Sequence, residues 1–240
     1  MSSGLSLRVG VLLLAGAARV ASSGTTTAPP DLGGFWQAGS VATPLQTLDG
    51  KEPPFTAAGR KAYAANQAAA KRGDRSFDNA LQCRPMGIPR LSTESAFELF
   101  QTDHEVVFLY EWNRLQRMVE LRNQHNDFDA AYPYYLGHPM ARWQDDTLVI
   151  DSVNFNDDTV LDSTGLPHGT SLHVVERLRL LDTNTLEQIV TIEDPLMYVR
   201  PWQTRLRFHR LPADTIFPED ICVDRLNLKT LNTNKNRRPR

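Results

Sequence analysis

Hydrophobic and polar positions along this chain repeat with two different periods. Between residues 56 and 72 the pattern is helical. Thr56 follows Pro53-Pro54 as a natural N-cap, an alanine-rich run extends from Ala57 to Ala70, and Gly73 stops it. Beyond residue 80 the period falls to two. Val106, Phe108, Tyr110 and Trp112 alternate with other positions, so Phe97–Trp112 predicts one or two strands, and Leu115–Leu121 continues them. Trp143–Phe155 predicts a hairpin entry, a turn at Gln144-Asp145-Asp146 and a strand from Thr147 to Val153. Leu172–Leu181, a turn at Asp182–Thr185, and Leu186–Ile192 predict the next pair. Thr204–Leu211 predicts a last strand with Leu206 and Phe208 on one face and Arg205, Arg207 and His209 on the other. Asp31–Trp36 predicts the first strand of a small barrel, with Trp36 plugging one end.

No βαβ rhythm appears, so a parallel doubly wound sheet is excluded in favour of an antiparallel meander. The expected fold is all-β with minor α: an up-and-down β-barrel of about eight to ten short strands with one N-terminal helix. Closing the sheet removes its edges. One domain spans residues 31–228, after a flexible lead-in at 25–30. The tail at 229–240 carries Lys229, Lys235, Arg237, Arg238 and Arg240 and reads as a solvated, disordered terminus.

Composition adds little to this picture and removes several alternatives. The 240 residues are 41% apolar and 22% charged with a net charge of −2, which excludes a mostly disordered chain, a collagen and a basic nucleic-acid-coating protein. No apolar run is long enough for a transmembrane helix. Residues 1–24 read as a secretory signal: Arg8 is the positive start, Val9–Ala18 the apolar stretch, and Ala21–Gly24 the small-residue cleavage region. Export gives meaning to the two cysteines. Cys83 and Cys222 lie too far apart in sequence for a zinc knuckle, and in an oxidising compartment they are expected to form one long-range disulfide.

Motifs exclude more than they assign. The chain has no phosphate-binding or dinucleotide-binding glycine loop, no G-x-S-x-G elbow, no H-E-x-x-H and no C-x-x-C. No cofactor and no metal are expected. Three segments carry candidate chemistry. In Leu166–Arg177, strand parity puts Glu176 on the apolar face with Leu172, Val174, Leu178 and Leu180, and puts His173 on the other. An inward Glu176 is either a general acid with a raised pKa or half of an ion pair with Arg142 or Arg117. His168, in a Pro-His-Gly loop, is placed where it could reach a barrel mouth, although a hydrogen-bonded loop histidine is the commoner case. In Ile192–Trp202, Asp194 continues the inward parity of Val190 and Ile192. Tyr198 and Trp202 either line a ligand opening or plug the barrel end. In His138–Thr147, Arg142 is a candidate electrostatic clamp. Trp143, Tyr110 and Trp112 join Tyr198 and Trp202 as candidate ligand-lining aromatics.

These segments together resemble a widespread group of exported bacterial proteins. That group has an N-terminal D-L-S-G-x-W, then C-x-P-x-G-x-P-R, G-R-W-E-G-D-T-L-V-V-D-T and P-H-S-x-x-L-H-x-x-E-R. Here the matching stretches are Asp31–Trp36, Cys83–Arg90, Ala141–Asp151 and Pro167–Arg177, with Asp194-Pro195 and Cys222 further on. Gly169 stands where the group has a serine after the histidine, and Asp145 where it has a turn glycine. The resemblance implies export and a lipocalin-like barrel, without a settled activity. Three functions are therefore carried forward. The first is an exported enzyme of isomerase, cyclase, hydratase or lyase type acting on a hydrophobic or aromatic small molecule. Glu176, Asp194, His168, His173 and Arg142 would be its catalytic set. The second is a carrier of a hydrophobic small molecule, and the third a structural cell-envelope protein.

Overall fold

The computed structural model describes residues 28–225 apart from 42, 127, 128 and 130. The leader read at 1–24 and the tail at 229–240 lie outside the described residues. Nine strands close into a barrel. They are β1 (Gly34–Ala38), β2 (Phe97–Gln101), β3 (Glu105–Tyr110), β4 (Gln116–Leu121), β5 (His138–Gln144), β6 (Thr147–Val153), β7 (His173–Asp182), β8 (Thr185–Glu193) and β9 (Trp202–Arg210). Each strand pairs with its neighbour in sequence, and β1 pairs with β9 to close the ring.

Period-two patterning explains the interior. On β3 and β9 every second side chain is buried, and the inward Phe97, Phe108, Tyr110 and Phe208 meet with ring centroids 5.1–5.6 Å from Phe97. Each large side chain so buried stabilises the fold by about 1.5–3 kcal/mol. Trp36 is fully buried near one end and donates its Nε1–H to the Leu32 carbonyl at 3.0 Å. The β5–β6 turn places Asp145 at φ 54°, the left-handed region that an aspartate tolerates.

Two features differ from the expectation. One junction is parallel: β4 meets β5 only at Glu120↔Met140 and Leu121↔Ala141. The chain between β4 and β5 therefore crosses over rather than turning in a hairpin, and a connection of that length is what a parallel pair needs. A second, short helix, α2 (Arg90–Glu94), also precedes β2.

The expected long helix is α1 (Ala57–Lys71). Thr56 caps it by accepting the Gly59 N–H at 3.0 Å, and donates its own hydroxyl to the Leu196 carbonyl at 2.8 Å. Gly59 is required there, because a Cβ would sit 2.1 Å from the Met197 carbonyl oxygen. The helix is thereby docked on the corner after β8. Cys83 and Cys222 are disulfide-bonded across 139 positions, which fits non-reducing surroundings. Among the described residues no helix is long and apolar enough to cross a membrane.

Candidate functional site

The site residues read from the sequence divide among three places. The first is the barrel interior. Glu176 is fully buried, as its parity requires, and its partner is Arg117. The Arg117 guanidinium donates from Nη1 to Oε1 at 3.1 Å and from Nη2 to Oε2 at 2.5 Å. Gln188 Nε2 donates to Oε1 at 2.6 Å, and Ser152 Oγ accepts from Arg117 Nη2 at 3.0 Å. Tyr110 lies beside this pair; its hydroxyl meets Ser92 Oγ at 3.0 Å and burial pushes its pKa up to about 12. Both carboxylate oxygens are thus bonded inside the barrel, with no face open to solvent.

The second place is the outer wall. Arg142 pairs across the ladder with Val149, which pairs with Arg177, so all three lie on the outside. Arg142 therefore does not meet Glu176. His173 also faces outward, with Nε2 2.9 Å from Asp151 Oδ1. Trp143 is half-buried at the inward end of β5, and half-buried Trp112 packs under Arg225 beside the disulfide.

The third place gathers the most. Residues 154–172 cross one barrel end and are clamped there from two sides. From α1, Tyr63 meets the Thr164 hydroxyl at 2.9 Å and Asn66 Nδ2 donates to the Gly165 carbonyl at 2.8 Å. From the corner after β8, Asp194 accepts the Gly169 N–H at 2.5 Å and the Leu196 N–H at 3.0 Å, and Tyr198 donates its hydroxyl to the Pro167 carbonyl at 2.7 Å. Inside the loop, buried Asp162 accepts the N–H groups of Leu45, Thr164 and Leu166. Tyr198 is thus an anchor, packed on Phe55 and Trp202 at ring distances of 5.4 and 5.5 Å. Burial pushes its phenol pKa up.

This clamp holds His168 rigidly. Its Nδ1 lies 3.1 Å from the Gly169 carbonyl and its Nε2 2.7 Å from Thr159 Oγ1. A carbonyl only accepts, so Nδ1 carries the proton and Nε2 accepts from the threonine hydroxyl. Burial lowers the His168 pKa, against the opposing pull of Asp194 and Asp157, so the ring is neutral at pH 7. Both residues line a pocket of about 250 Å³ with Asn66, Asn79, Asp157 and Asp158. Asn66 donates to the Gly165 carbonyl and Asn79 to the Asp158 carbonyl, and the Asp158 carboxylate pairs with Arg84 at 3.9 Å, which leaves the two amide oxygens and the Asp157 carboxylate for a ligand. The Cys83–Arg90 stretch also arrives here. Gly87, at φ 80°, lies against Thr159, where a Cβ would be 2.5 Å from Oγ1.

Sequence reasoning missed Thr159, which sits in an aperiodic loop with no motif of its own. A larger groove of about 550 Å³ lies between residues 47–52 and strands β8–β9, over the unpartnered Nε1–H of Trp202. Three of its four charged residues are paired: Lys51 with Asp49 at 2.6 Å, and Glu52 with Arg60 at 3.0 Å, while Arg200 also lines it. The perturbed group of that groove, Asp49, is exposed, whereas the His168 pocket holds one that is buried and is the stronger candidate.

No family model, curated protein or solved structure matches the chain. A barrel of this kind hosts many unrelated activities, so only the site speaks to function.

Proposed function

We propose that the protein is an exported enzyme that moves a proton on a small polar molecule, with His168 as the base. One observation carries this reading: a buried, neutral imidazole bonded at 2.7 Å to the Thr159 hydroxyl on the wall of an open pocket. A base that is unprotonated at pH 7 is ready to accept a proton, and positioned proton transfer contributes about 10²–10⁴ in rate. The acceptor-rich lining asks the ligand for donors, so hydroxyl-bearing or amine-bearing molecules fit here better than a purely apolar one. The chemistry is of isomerase or lyase type and draws on no cofactor. The leader read at residues 1–24 and the disulfide support export, and the resemblance to exported bacterial proteins agrees.

The test begins with ¹⁵N-histidine-labelled protein titrated with small polyols, amino sugars and hydroxy acids. Ligands that shift the His168 ring nitrogens are then followed for conversion. Conversion by the wild type, reduced at least about 100-fold in His168→Gln with binding retained, is the expected result. The acid limb of kcat/KM should fall below 6.5, the ordinary histidine value. Ligands that occupy the pocket and are returned unchanged by the wild type would overturn the catalytic reading in favour of a carrier.

A further inference from the structure

The outer wall of the barrel gathers arginines on the strands β5 to β9. Cross-strand partners share a face, so the ladder Arg142↔Val149↔Arg177↔Ile189↔Arg205 is one outward row. Two residues further along the strands, Arg179↔Glu187↔Arg207 forms a second row over β7, β8 and β9. Within each row the arginines stand on every second strand, about 10 Å apart, and the rows lie about 7 Å from each other. Arg179, Arg205 and Arg207 are exposed, and Arg142 and Arg177 are half-buried.

Charge does not balance on this face. The two rows hold five arginines and one carboxylate, Glu187, which leaves four positive charges in excess on a chain whose net charge is −2. Glu187 lies 3.2–3.4 Å from Arg179, Arg205 and Arg207. One carboxylate neutralises only one of these guanidiniums. The same carboxylate keeps all three in place against their mutual repulsion, so they are ordered before a partner arrives. Arg177 is steadied by a neutral group, donating to Gln144 Oε1 at 2.8 Å. Guanidinium forks of this kind pair bidentately with carboxylates.

Spacing and shape select the partner. Two sugar units of an extended acidic polysaccharide span about the same length as two strand spacings, so carboxylates on every second sugar meet the arginines of a row. The wall is convex. A flat membrane would touch it along a line, whereas a chain can lie across all five strands. The proposed export sets such chains, rather than nucleic acid, in the protein's surroundings.

We infer that the outer face of β5–β9 binds a linear acidic polysaccharide along the Arg142–Arg177–Arg205 row, with Arg179 and Arg207 on its flank. This surface shares no residue with the His168 pocket.

The probe is the hexamer of galacturonic acid, with galacturonate itself and the neutral maltohexaose as controls. Binding is read by NMR from the arginine side-chain Nε–H signals and by calorimetry at low and high salt. The hexamer should shift the signals of Arg177, Arg205 and Arg207, and its affinity should fall as salt rises. Galacturonate should bind at least about tenfold more weakly, and maltohexaose not at all. Arg205→Gln/Arg207→Gln leaves Arg179 on Glu187; it should stay folded by circular dichroism and lose at least about tenfold in hexamer affinity. Failure of the hexamer to bind at low salt, or undiminished binding to the folded double variant, would overturn the proposal. So would tighter binding of a short DNA duplex or of phosphatidylglycerol vesicles than of the hexamer.

Discussion

Two glutamates on neighbouring strands make the same demand on opposite sides of the wall. Glu176 on β7 points into the barrel and is 0% exposed; Glu187 on β8 points outward and is 5% exposed. Glu176 is held by a single guanidinium, itself buried, and by Gln188. Glu187 is covered by three arginines, Arg179 at 3.2 Å, Arg205 at 3.4 Å and Arg207 at 3.3 Å, each with about half of its side chain in solvent. The two carboxylates are equally hidden, yet only the outer one has water one side chain away. What differs is whether solvent can replace a lost partner.

That contrast can be broken most severely from the inside. Arg117→Met or Glu176→Leu alone leaves one buried charge unpaired and is expected to cost about 3–5 kcal/mol, read from urea or thermal unfolding. The double variant should recover most of that loss, because neither charge is then stranded. A double variant as unstable as the singles would show that the polar cluster, rather than its charge balance, is what the barrel needs. A smaller effect is expected outside. Glu187→Gln should cost about 1 kcal/mol, and the cost should shrink in high salt, as it does for exposed ion pairs. A loss as large as that of Glu176→Leu would erase the distinction between the two faces.

The smallest effect is a pH dependence. The hydrogen bond that His173 donates to Asp151 raises the His173 pKa, and His173 in turn lowers that of Asp151. The histidine contribution is complete below its unfolded value of about 6.5 and is lost as pH rises through its higher folded value. The carboxylate contribution is present above about 3.9 and is lost as pH falls through its lower folded value. Outer-wall stability from this pair should therefore peak between those limits, and His173→Gln should flatten the profile. An unchanged profile in His173→Gln would remove the pair from the account.

Much of this was legible in the sequence, and the reason is periodicity. The inward side chains of Glu176 and Asp194 follow from parity, and the cap and stop of α1 follow from Thr56 and Gly73. The partner of Glu176 was not legible. Arg117 and Arg142 both stood open, and the choice depends on the phase of β4 and β5, where Ala141 and Trp143 take the inward positions and Arg142 the outer one. Strand β5 begins at His138, ahead of the Trp143 entry, because the stretch before it is too polar and proline-rich to show its period. Thr159 was invisible for a different reason. A loop residue is placed by whatever clamps the loop, and here the clamps come from α1 and from Asp194, both distant in sequence.

The parallel seam also has a consequence that concerns counting. Give each strand one of two directions and require every neighbour around a closed ring to be opposite: with an even number the rule can be met, with nine it cannot. One mismatched neighbour pair is forced by arithmetic, as in a triangle of antiferromagnetic spins. Evolution was free only to choose where the mismatch falls. Placing it at the β1–β9 closure would have set it between the two chain-end strands; placing it at β4–β5 sets it beside Arg117, with Glu176 directly behind. An odd ring with that choice puts its one parallel pair next to the buried Arg117–Glu176 pair, which no solvent reaches.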